Sequence, residues 1–195
     1  MTVNIPAWNS KGLIPPIGSG ESNLRSPYIA SLEEFVLRFS LSSQRCKIIK
    51  GFLDYRSRLH AAGLVNGFMW VNGSFLENIE LIEKRSPNDI DFVIFYRPPL
   101  GKTEQQIIEE NPDIFAFSKH MKKVLKEKYF VDPYFVNLEN SSEKILERGT
   151  YWYSMWSHRR NEAWKGYIQI ELDSSSDEAA YKIILQSEHM VEQVS

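Results

Sequence analysis

The chain has 195 residues, enough for one ordinary domain with a real hydrophobic core. Hydrophobic residues at 43% and charged residues at 25% are those of a soluble globular protein, and a net charge of −2 excludes a global pull toward nucleic acid or membrane, so any polyanion binding must come from a local patch. No apolar run approaches the ~18 residues that cross a bilayer, no basic segment precedes an apolar one at the start, and the lone Cys46 has no internal disulfide partner, so the expectation is a cytoplasmic, reducing setting with Cys46 as a small core residue.

Residues 1–30 are rich in Pro, Gly, Ser and Asn and read as an N-terminal arm pinned by Trp8, Leu13 and Ile14, ahead of a single domain over 31–195. Ser31 with Glu34 three positions on has capping-box spacing, and Leu32, Phe35, Val36 and Phe39 predict a helix. A second helix is expected over Ser43–Ala62, with the stripe Ile48, Phe52, Tyr55 and Leu59 and a stop at Gly63. Its basic residues Arg45, Lys47, Lys50, Arg56 and Arg58 read as a solvated face. Phe68–Val71 reads as a buried strand that turns at Asn72-Gly73-Ser74. Ser74 with Glu77 repeats the capping-box spacing and predicts a helix through Leu76, Ile79 and Ile82. After a loop at 85–88, Asp89–Tyr96 reads as a strand covered on both faces. Helices are predicted over Glu104–Glu110 and Ile114–Lys128, the second with a basic C-terminal half that suits its dipole. Tyr129–Leu138 reads as a strand and Glu143–Arg148 as a helix. Gly166–Leu172 alternates, with Ile168, Ile170 and Leu172 on one face, and Asp177–Met190 is the closing helix. The pattern is that of an α/β (α+β) protein with a mixed β-sheet flanked by helices.

The chemistry concentrates between Trp70 and Phe95. In Asp89-Ile90-Asp91 the acids stand two apart, which on a strand puts both on one face. Carboxylates side by side in a low-dielectric place hold protons more tightly or call for a cation. Mg²⁺ takes such oxygen ligands together with substrate phosphates. A helix starting at Ser74 would offer backbone N–H groups to a phosphate, and Gly73 would let the backbone approach it. The Ser74 hydroxyl has two competing uses, phosphate donor or helix cap.

The segment resembles the signature of the nucleotidyltransferase superfamily, the fold of DNA polymerase beta, whose minimal and antitoxin-type members share a Gly-Ser turn followed by Asp-x-Asp; here these are Gly73, Ser74, Asp89 and Asp91. The wider chain, with Gly12-Leu13-Ile14-Pro15-Pro16 and Pro87-Asn88-Asp89-Ile90-Asp91, also resembles an uncharacterised family of small bacterial nucleotidyltransferase-like proteins. Fourteen residues separate Ser74 from Asp89, a longer link than in the minimal members. The resemblance implies a nucleotidyltransferase fold, an NTP substrate and Mg²⁺, with two ions accommodated. It implies catalytic and metal-binding roles for Asp89 and Asp91, and nucleotide binding by Gly73 and Ser74. It also implies a third carboxylate on a neighbouring strand. Asp132, set in an apolar and aromatic run, is the first candidate for it and otherwise marks a strand start; Glu171 is the second, on a strand whose solvated face also explains it. The acceptor is left open among a protein hydroxyl, an RNA 3′ end and a small molecule, and the partner implied is a toxin or a defence-system subunit. A non-catalytic interaction protein of the same fold is the competing class.

Tyr151–Lys165 interleaves aromatics with basic residues, a composition that either stacks bases and neutralises phosphates or packs Trp152, Met155 and Trp156 on the core. The lysines between Lys119 and Lys128 are either a solvated helix face or a second nucleic-acid patch. The histidines are scattered, so no zinc site is expected.

Overall fold

The computed structural model describes residues 5–18 and 24–194; residues 1–4 and 19–23 of the expected arm lie outside the described residues. The elements run β1 (Tyr28–Ile29), α1 (Leu32–Phe39), α2 (Ser43–Ala61), β2 (Gly67–Asn72), α3 (Ile79–Ile82), β3 (Ile90–Tyr96), α4 (Glu104–Glu110), α5 (Lys119–Tyr129), β4 (Val131–Asn137), α6 (Ser142–Trp156), β5 (Ile168–Glu171) and α7 (Asp177–Val194), with 3₁₀ turns at Ser74–Leu76 and Pro112–Ile114. The fold class is mixed α/β. Five strands form one mixed sheet in the order β1-β5-β2-β3-β4. β2 is antiparallel to both β3 and β5, whereas β3–β4 and β1–β5 are parallel. A strand of the sheet therefore lies within the segment read as an arm. Trp8 anchors the rest of it by donating its indole N–H to the Leu76 carbonyl at 2.7 Å, and Leu13 and Ile14 are buried.

The strands alternate as period two requires. Phe92 of β3 meets Phe52 and Tyr55 of α2 on one face. On the other face Trp70, Phe95, Tyr167, Trp152 and Trp156 form a continuous aromatic layer under α6. Cys46 is in the core. The α1 cap is as expected, with the Ser31 hydroxyl accepting from the Glu34 N–H.

Several expectations are corrected. Arg45 and Arg56 of α2 are fully buried, not solvated. Arg45 forms a two-point ion pair with Glu80 and donates to the carbonyls of Phe75 and Glu77, each at 2.7 Å. Arg56 pairs with Asp177 and donates to the carbonyls of Glu171 and Asp173. Each guanidinium fills its fork of donors, which is what makes its burial tolerable. No helix starts at Ser74: a single 3₁₀ turn forms, Gly73 caps it without a side-chain hydrogen bond, and Glu77 is extended. Glu77 cannot reach back as a cap because Lys165 and Arg159 hold its carboxylate, so α3 begins afresh under an Asn78 cap. The helix expected from Ile114 begins at Lys119, capped by Ser118, because Ile114 and Phe115 are drawn into the core. That start places Lys119 and Lys122 in the first turn, where the dipole does not favour them. Tyr129 ends α5 and Phe130 turns in the left-handed region at φ 56°, so β4 starts at Val131. α6 runs on to Trp156 and takes in the start of the aromatic-basic segment; of the three residues that its core-packing alternative groups together, Trp152 and Trp156 are buried and Met155 is 52% exposed.

Candidate functional site

The site sits where β2 ends and β3 and β4 begin. Asn72 is the register partner of Asp91, and Asp91 that of Asp132. Register partners project to the same face from strands about 4.8 Å apart, so the two carboxylates lie side by side on the α6 face. Asp89 precedes β3 and does not belong to it, yet stands two residues from Asp91 on the same side. Gly73 follows β2 with φ 82°, and a Cβ there would come within 2.0 Å of Asp91 Oδ2. Only glycine lets the Asp91 carboxylate rest over this backbone.

The cations are as defined as the acids. Lys126 of α5 donates from Nζ to Asp89 Oδ2 at 2.7 Å and to Asp132 Oδ2 at 3.0 Å. Lys122, one turn earlier, lies 3.4 Å from Asp132 Oδ1 and over the Tyr134 ring. On the opposite flank Lys165 donates to Glu77 Oε1 at 2.7 Å and to the Gly73 carbonyl at 3.3 Å. Arg159 takes the other Glu77 oxygen at 3.1 Å and also pairs with Glu83. Burial pushes Asp91 up to about 6, the charges of Asp89 and Asp132 push in the same direction, and Lys126 and Lys165 oppose them. Burial works against the charge on Lys126, but the hydrogen bonds it donates to Asp89 and Asp132, with the charges of those carboxylates, outweigh it and hold its ammonium above the ordinary lysine range.

Of the five residues singled out in the sequence, Gly73, Asp89, Asp91 and Asp132 thus lie around one point, with Ser74 next along the chain. Glu171 does not join them: it pairs with Phe68 at the far end of β2. Three carboxylates are an all-oxygen donor set of the kind Mg²⁺ takes. Asp132 Oδ1, buried without a hydrogen-bond donor, is a spare ligand atom. Among the described residues no group of three or more His, Cys, Asp or Glu side chains is gathered to hold a metal ion in this arrangement, in which Lys126 bridges Asp89 and Asp132. The donor chemistry fits such an ion once Lys126 turns outward, and its side chain is 42% exposed. The ion pairs of Lys122, Lys126, Lys165 and Glu77 are not legible in the sequence because the partners are remote; the spacing of Lys122 and Lys126 on one helix face is the one local signal.

In the aromatic-basic segment, Trp152 and Trp156 are buried on the sheet while Tyr151, Tyr153 and Trp164 stay exposed. Among the described residues no helix is long and apolar enough to cross a membrane. No curated protein and no solved structure matches the chain. Residues 6–171 match a family described as Family of unknown function (DUF6932), and with so much of its length matched, the chain belongs to that family.

Proposed function

We propose that the chain is a Mg²⁺-dependent nucleotidyltransferase, moving a nucleoside monophosphate from an NTP to an acceptor hydroxyl. The observation that carries this reading is the register pair Asp91 and Asp132, with Asp89 beside them and Gly73 beneath Asp91. Carboxylates this close repel one another, as the raised proton affinity of Asp91 reflects, and a divalent cation relieves that repulsion. The antiparallel β2–β3 pair and parallel β3–β4 pair support assigning a nucleotidyltransferase fold, on the resemblance of the Gly73-Ser74 and Asp89-x-Asp91 motifs.

Asp89 and Asp91 would hold one ion with the triphosphate, and Asp132 would share a second. Bound Mg²⁺ supplies charge neutralisation for the phosphates and lowers the pKa of the acceptor hydroxyl. Gly73 leaves its backbone open to the β- and γ-phosphates, and the Ser74 hydroxyl, which caps no helix, is free to donate to them. Lys165 braces this turn through the Gly73 carbonyl. The acceptor oxygen attacks the α-phosphorus, the bond to the β-phosphate oxygen breaks, and pyrophosphate leaves. The hydroxyl proton passes to the Asp132 carboxylate, which stands beside Asp91 in the sheet register. Lys126 must release Asp89 and Asp132 for this to occur.

That bridge also favours a second reading, a non-catalytic interaction protein, such as an antitoxin or defence-system subunit, whose lysine permanently neutralises the acids. Incubation with Mg²⁺ and radiolabelled NTPs separates the two. Transfer of label to the protein itself, to RNA or to a partner protein is expected, and its loss in Asp89→Ala and Asp91→Ala. No transfer to any of these, together with no NTP binding, would sink the enzymatic reading.

A further inference from the structure

We infer that the acceptor is the end of a single-stranded nucleic acid, held along the lysine face of α5. The inference rests on the nucleotidyltransferase reading and names the substrate class for the other side of the same carboxylates. Lys119, Lys122, Lys123 and Lys126 stand at i, i+3, i+4 and i+7, one face of the helix. All four line a cavity of about 630 Å³ that also contains Asp89 and Asp132. Gly73 and Ser74 lie beyond Asp91 on the opposite side, so the carboxylates stand between the turn assigned to the triphosphate and the lysine row.

The charge balance changes with occupancy. Lys122 and Lys126 are engaged with Asp89 and Asp132. When those acids hold cations, Glu127 alone among the acidic residues of the cavity opposes the four lysines. The groove thus becomes strongly cationic in the state in which an acceptor is needed. From Lys119 to Lys126 the helix rises about 10 Å, enough for the row to follow more than one phosphate of an extended strand. Phe130, turned onto the cavity wall by its left-handed backbone, adds an aromatic surface with the Lys47 ammonium 4.9 Å from the ring centre. Cations in a row beside an aromatic face form a single-strand platform. An acidic peptide would use the lysines but leave Phe130 without a base to stack, and a small acceptor would not need the whole row. In the Tyr151–Lys165 segment, by contrast, Arg159 and Lys165 are committed to Glu77.

Fluorescence anisotropy with a labelled single-stranded RNA and the matching DNA, without NTP, in EDTA and again in Mg²⁺, tests the groove. Binding that weakens with salt is expected. Lys119→Glu/Lys123→Glu, two exposed positions, should weaken it at least tenfold and flatten the log–log salt slope by about 1.4, at ~0.7 for each phosphate no longer neutralised. Lys119→Gln/Lys123→Gln should fall between, with the thermal midpoint and NTP binding unchanged, and Arg160→Ala should bind as wild type. No binding in either condition, equal binding by the charge-reversed variant, or tighter binding of an acidic peptide or a duplex would overturn the inference. If RNA binding stands but no nucleotide reaches any acceptor, the proposed activity fails and the groove stands only as a single-strand site; if RNA binding stands but the nucleotide goes only to another acceptor, the acceptor assignment fails. If an NTP is transferred to another acceptor while RNA binding is absent, the lysine groove fails alone.

Discussion

Replacing Asp91 by asparagine should make the protein more stable while removing its function. The carboxyl is raised from its ordinary 3.8 to about 6, first by burial and then by Asp89 and Asp132. The folded state therefore binds the proton more tightly than the unfolded chain does. Between these two values stability falls as pH rises, and above the upper one the full cost is present. About two units at 1.36 kcal/mol each is a cost of at most about 3 kcal/mol at pH 8. Asparagine has the same shape and no charge, so Asp91→Asn should recover most of it. For a domain of this size that is a rise in melting temperature of about 6–12 °C, at 2–4 °C per kcal/mol. The gap should close toward about pH 4, where wild-type Asp91 is itself protonated. Circular dichroism melts of both proteins in EDTA across that range measure it, and a Mg²⁺ titration should raise the wild-type midpoint but not the variant's. A variant less stable than wild type at pH 8, or a gap that does not change with pH, would refute the account of a crowded, buried carboxylate.

Lys126→Met should act in the opposite sense. It leaves Asp89 and Asp132 uncompensated and raises the proton affinity of Asp91 further, so stability in EDTA at pH 8 should fall by about 1 kcal/mol, a loss kept small by solvent screening of a lysine that is 42% exposed. Mg²⁺ should then restore the melting temperature of the variant by more than it raises that of wild type. Arg45→Met should cost about 1–3 kcal/mol for each of the two carbonyls it strands in the interior, those of Phe75 and Glu77, while Glu80, 36% exposed, turns to water; the shift in urea midpoint reads this directly.

Much of the site was legible because its logic is local. The two-residue spacing of Asp89 and Asp91 and the glycine after an apolar strand follow from period two and from turn chemistry. Asp132 stood out as an acid in an apolar run, and the register with Asp91 gives the reason for it. The failures share a different cause. Arg45 and Arg56 read as solvated because a basic residue on a helix ordinarily is; their carboxylate partners lie 35 and 121 positions away. Glu77 has the spacing of a cap, but Lys165, 88 positions later, offers a stronger partner. The lysines of α5 read as a solvated face or a nucleic-acid patch, and neither reading includes Asp89 and Asp132, because nothing nearby reveals that these acids will lie beneath them. Propensity and pattern resolve what neighbours along the chain decide; long-range ion pairs override both.

The sheet order has a consequence for how the protein must be made. β2, which ends in the turn carrying Gly73, is an interior strand only because β5 covers one of its edges, and that partner arrives roughly a hundred positions later, with Val71 facing Ile168. Until then a growing or truncated chain presents Phe68, Trp70 and the adjoining backbone as an open edge, a template for association with other chains. A fragment that ends at Gly166 should therefore accumulate as aggregates even though every residue of the candidate site is already present in it.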